Sequence, residues 1–138
     1  MSARRVVTRS PGAVVALGAG HTSYTDPAHG REVARVLAAC PDVRLVLPCQ
    51  DRDAAYAVLR RRCLETKGTT WTADGHDFLA RWLDEPLTRQ VATGVVLTAG
   101  STPQHTARAV AASLAPSAAA PTVQGLRRER PRTPRPGA

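Results

Sequence analysis

The segment AVVALGAG, residues 13–20, decides how the chain is read. A short apolar run, Ala13 to Leu17, breaks into Gly18-Ala19-Gly20 and is followed by His21. An apolar strand ending in glycines is how α/β proteins often bring their backbone against a phosphate. Taken alone, Gly18 and Gly20 fit an ordinary tight turn better, and only the order of the segments that follow brings the two readings level. The segments downstream therefore carry the argument.

Working outward, DPAHGREVARVLAAC (26–40) sets Val33, Val36, Leu37 and Cys40 at helical spacing. Asp26 is the expected N-cap, with Pro27 at the first helical position. VRLVLP (43–48) is a short β-rich run, and Asp51 caps a predicted helix over 52–64 with Ala55, Val58, Leu59 and Cys63 on one face. ETKGTTWTADGHD (65–77) is polar, holds two glycines and reads as a mobile loop. FLARWL (78–83) forms a short helix before Pro86, with Asp77 as its cap. GVVLT (94–98) is a third strand, and Thr102-Pro103 opens a last helix over 102–114. Short apolar strands alternating with helices predict an α/β fold, a parallel sheet with crossover helices.

The bulk composition limits the alternatives. The chain of 138 residues is one domain's length, and its hydrophobic content of 43% includes only 4% aromatic residues. Ala, Val and Leu must therefore fill the core. No apolar run reaches the roughly 18 residues of a membrane span, and the basic start MSARRVVTRSPG lacks the apolar stretch of a secretory signal. The expected location is cytoplasmic. Cys40, Cys49 and Cys63 are odd in number and form no CxxC, which favours reduced thiols. His21, His29, His76 and His105 are scattered, so no metal site is expected. Asp74-Gly75-His76-Asp77 reads as a glycine turn followed by a helix cap, with no need of a metal.

The net charge of +8 divides evenly. Fourteen basic and ten acidic residues precede Pro116, giving +4, and five arginines with one glutamate follow, giving another +4. The expected layout is a flexible basic N-terminus over 1–12, an α/β domain over 13–115 and a disordered Pro/Arg-rich tail over 116–138. The tail suits weak contact with nucleic acid or an acidic partner. The near-exclusive use of arginine over lysine also fits a GC-biased coding background.

The ordered series resembles the C-terminal half of small P-loop kinases of the shikimate-kinase-like type. VVALGAG matches a strand whose glycines lie beside the phosphoryl-transfer site. LVLPCQDRDAAYAVLRRR matches a strand and arginine-bearing helix, and residues 65–77 stand where the family has its lid. EPLTRQVATGVVLTAGSTPQHTARAVAASL matches the closing strand and helix, whose connecting loop packs on adenine in the family. The resemblance implies a partial P-loop-kinase-like three-layer fold with a short parallel sheet and flanking helices. It implies ATP and Mg²⁺ as cofactors and a small-molecule acceptor. Gly18 and Gly20 become substrate-binding, and Arg60, Arg62, Gly100, Ser101 and Pro103 nucleotide-binding. Guanidinium suits phosphate because it stays charged and can contact two oxygens at once. Arg61 reads as a solvated charge.

The departures are specific. No GxxxxGK[ST] occurs, and Lys67, the single lysine, stands in the lid position. Ala19 replaces the central glycine of the family's triplet, and Asp84 stands where shikimate kinases carry a carboxylate-binding arginine. The expectation is thus an ATP-dependent small-molecule kinase in truncated form, whose 138 residues alone do not transfer phosphate, and whose Ala13–Leu17 strand invites self-association. The alternative is a non-enzymatic interaction module acting through the tail.

Overall fold

The computed structural model describes residues 3–114 as a mixed α/β fold. In chain order the elements are α1 (Ala3–Arg9), α2 (Pro27–Ala38), β1 (Arg44–Leu47), α3 (Arg52–Lys67), β2 (Thr72–Ala73), β3 (His76–Asp77), α4 (Phe78–Leu83), α5 (Pro86–Val91), β4 (Gly94–Leu97) and α6 (Pro103–Ser113). The tail expected over 116–138 lies outside the described residues.

Local signals explain four of the helices. The Asp26 side chain accepts from Ala28 N at 2.8 Å, Asp51 from Ala54 N at 2.8 Å, Asp77 from Ala80 N at 2.9 Å and Thr102 from His105 N at 3.2 Å. Each oxygen satisfies an N–H that the first helical turn leaves unpaired. α3 runs three residues past its expected end because Gly68, at φ 64°, closes it in the left-handed conformation and donates back to Leu64 O at 3.0 Å.

β1 and β4 pair in parallel, with Arg44 opposite Gly94 and Leu47 opposite Leu97. Hydrogen bonds from Thr93 N to Val43 O (2.7 Å) and Ala99 N to Pro48 O (2.8 Å) prolong the match at both ends. At its entry, Asp42 holds the Arg44 guanidinium and accepts from Thr93 Oγ1 at 3.2 Å, while Val43 N donates to that same hydroxyl at 2.8 Å.

Three expectations are corrected. Ala13–Leu17 does not form a strand. It pairs with no strand among the described residues. Leu17 packs on the core, whereas Val14 is 93% exposed. The parallel sheet therefore has two strands instead of three. The basic N-terminus is helical over Ala3–Arg9, because Val7 reaches the α2 core and Arg4 pairs with Glu32 at 2.6 Å. The region 65–77, expected as a loop, is instead the end of α3 followed by a β2–β3 hairpin turning at Asp74-Gly75. Both turn residues have positive φ (50° and 75°), as a two-residue hairpin of this twist requires.

Among the described residues, the buried apolar side chains other than Leu79 form two clusters. Val33 and Leu37 of α2 gather Val7, Leu17, Tyr24, Cys40, Val43 and Val91. Leu47, Ala55 and Leu83 gather Leu45, Cys49, Tyr56 and Leu59. α5 lies on α2, with Gly30 opposite Leu87, and Thr22 and Thr88 share a hydrogen bond of 2.7 Å.

Candidate functional site

A cleft of about 1120 Å³ opens beside the α2 cluster, with Val33 and Tyr24 in its lining. One wall is α1, the turn at Gly18–His21 and α2. The other is the end of α3, the entry to the hairpin, and α4.

The glycine turn forms part of its floor. Residues 19–21 make one 3₁₀ turn, closed by His21 N donating to Gly18 O at 2.9 Å. The Tyr24 hydroxyl pins this turn by donating to His21 O at 2.8 Å. Neither Gly18 nor Gly20 has positive φ, so backbone torsion does not require glycine at either position. Space does not require it either: a methyl group at Gly20 would meet the Trp82 ring at 3.9 Å, an ordinary contact, and one at Gly18 would meet His21 Nδ1 at 3.4 Å.

Charge and aromatic surface meet above that floor. Arg4 and Arg5 project from α1, and Lys67 ends α3. Arg4 is paired with Glu32, but Arg5 and Lys67 have no carboxylate partner among the described residues. The Lys67 ammonium lies 5.6 Å from the centre of the Trp71 ring, within cation–π range. Trp71 and Trp82 meet edge to face with centroids 5.3 Å apart. Trp71 has φ 56°, a conformation a bulky residue seldom adopts. Two hydrogen bonds hold it there: its N–H donates to Thr69 Oγ1 at 3.0 Å, and its carbonyl accepts from Phe78 N at 3.0 Å.

The residues singled out in the sequence fall into two places. Gly18 and Gly20 line the cleft. Arg60, Arg62, Gly100, Ser101 and Pro103 do not. Arg62 donates to Thr98 Oγ1 at 3.0 Å, which ties α3 to the start of the β4–α6 turn that contains Gly100 and Ser101. Gly100 has φ 73° in that turn, Ser101 N donates to Thr98 O at 3.2 Å, and Pro103 opens α6. Arg60 leans toward the Tyr56 oxygen at 3.4 Å. The Tyr56 hydroxyl donates to Asp77, and this bond raises the Tyr56 pKa above its ordinary value. Asp77 is held below the usual carboxylate range by the Ala80 N–H and by that same hydroxyl.

Asp84 is engaged elsewhere. Arg52 grips it through two bonds, Nε to Oδ1 at 2.8 Å and Nη2 to Oδ2 at 2.5 Å, which lowers the Asp84 pKa. Its charge is spent on α3 and does not face the cleft.

No protein-family model, no curated protein and no solved structure matches the chain.

Sequence reading missed Arg4, Arg5, Lys67 and Trp71 as members of one site. The available signals were weak: a basic residue before the helix-ending Gly68, and two arginines on a short stretch whose Val7 faces inward.

Proposed function

We propose that this chain binds a small anionic metabolite in the cleft over the Gly18–Gly20 turn, in the manner of the acceptor side of a shikimate-kinase-like enzyme. One observation carries the reading. Gly18 and Gly20 share a cleft with two cationic side chains, Arg5 and Lys67, that no carboxylate among the described residues neutralises. Positive groups gathered around a concave surface attract anions and raise their local concentration. The parallel β1–β4 pair, joined through the arginine-bearing α3, also agrees with the order of elements in that family.

ATP and Mg²⁺ belong to the reading by resemblance alone, and the described residues do not fit them. Ser101 Oγ is within hydrogen-bond reach of Thr102 O and Thr106 Oγ1, Arg62 is bonded to Thr98, and Arg60 leans on Tyr56. No GxxxxGK[ST] supplies a cradle, a lysine and a metal-ligating hydroxyl. No phosphoryl-transfer step is assigned to these residues.

Titration calorimetry of the full chain at low salt tests the proposal, with inorganic phosphate and phosphorylated hydroxy-metabolites as probes. Saturable binding that weakens in Arg5→Gln and in Lys67→Gln is the expected result. Binding that is absent, or indifferent to both substitutions, overturns it.

A further inference from the structure

We infer that the ligand of this cleft is an anion carried on a flat ring, with Trp71 as the stacking platform and Arg5 and Lys67 as the anion clamp. The inference rests on the binding reading above and names the ligand class for the same site. Trp71 supplies the first argument. A bulky residue at φ 56° costs free energy relative to an ordinary conformation, and such strain concentrates at ligand-binding positions. The strain here holds an indole in the wall of a cleft. The hairpin itself turns three residues further on, at Asp74-Gly75, so the turn does not depend on residue 71 being strained.

The second argument is the disposition of charge around that ring. Trp82 meets Trp71 edge to face, so it braces the Trp71 indole without covering it as a stacked partner would. Lys67 lies 5.6 Å from the Trp71 ring centre. The ammonium lies over the ring, so a flat ligand seated on that face would displace it to the rim, where it meets an attached anionic group. Arg5 approaches the same cleft from α1 on the opposite wall. Inorganic phosphate or an aliphatic phosphate would use the clamp and leave the aromatic surface unused. An aryl phosphate would use both.

Both tryptophans of the chain line this cleft, so intrinsic fluorescence reports directly on its occupancy. The full-length protein is titrated with phenyl phosphate, glucose 6-phosphate and inorganic phosphate, with calorimetry as the second readout. Phenyl phosphate should bind about tenfold more tightly than the other two, the scale of one aromatic stacking contact. Trp71→Leu should abolish that advantage, so that the three probes bind it alike, and Trp71→Phe should retain most of it. Lys67→Gln should weaken all three probes by several-fold. Equal affinity for the three probes in the wild type overturns the ring inference and leaves the anion cleft standing. Failure of all three to bind overturns both. If Trp71→Leu does not fold, as judged by circular dichroism, the wild-type probe comparison and Trp71→Phe still decide the matter.

Discussion

Replacing Leu37 by Ala removes the centre of the α2 cluster and, with it, the support of the cleft's basic wall. Leu37 is 4% exposed and packs beside Val33, with Val7 of α1 and Val91 of α5 among the neighbours of that pair. Truncating a buried leucine costs about 2.7–5 kcal/mol, the spread reflecting how far the surroundings collapse into the space. The neighbours here are themselves half-buried and free to move inward, which places the cost near the lower end, at about 3 kcal/mol. For a domain of roughly 100 residues that is a fall in the thermal midpoint of ~10–20 °C. It is also a large share of a total stability of about 5–15 kcal/mol. The assay is thermal and urea unfolding followed by circular dichroism, with Val14→Ala as the control at a position 93% exposed. The control should shift stability by no more than about 0.5 kcal/mol. Because Val7 rests on this cluster, Leu37→Ala should also weaken anion binding through a loosened α1. Equal midpoints for the two variants would refute the reasoning, since they would mean that α2 is not packed as described.

Three further outcomes are expected. Asp42, Asp77 and Asp84 are held below the usual carboxylate range, by Arg44, by the Ala80 N–H and by Arg52 respectively. Their stabilisation is present above the unfolded value near pH 4 and is lost as pH falls through the lower folded values, so stability should be level from neutrality to about pH 4 and fall below it; a decline starting near pH 6 would point to histidine instead. With ATP, Mg²⁺ and a panel of hydroxylated metabolites, the purified chain should show no phosphate transfer, and turnover on the order of 1 per second would contradict this. The apolar segment 13–17, which joins no sheet among the described residues and leaves Val14 93% exposed, should promote association, so Val15→Lys should shift sedimentation toward monomer. A wild-type protein that is monomeric at high concentration removes the basis for that substitution.

What the sequence disclosed was local. Asp26, Asp51, Asp77 and Thr102 announce their helices because a cap acts within three residues, and all four make the expected bond. The helix over Pro86–Val91 has the same kind of signal, Glu85 followed by Pro86 at the first position, but a proline there serves equally as a stop for the helix before it. α1 depends on partners 28 residues away, as in the Arg4–Glu32 pair, and no short window contains that information. The strand expected at 13–17 failed for the complementary reason: its apolar run is genuine, but a strand exists only where a second strand pairs with it. Within the site, the glycines were visible and the aromatic platform was not, because the position of Trp71 follows from the backbone turn around it and not from spacing.

The division of the core into two clusters bears on how the molecule opens. Each cluster is small: the first holds α1 through Val7 and α2 through Val33 and Leu37, and the second holds α3 through Ala55 and Leu59. The cleft takes Arg5 from α1 and Lys67 from the end of α3. Segments held by separate clusters can exchange their amide hydrogens through separate openings, at different free energies. α1 and α2 should then exchange faster than β1 and α3 in the free protein. A ligand that touches both walls would oppose either opening alone. Its binding should bring the two exchange rates together, making one cooperative unit out of two.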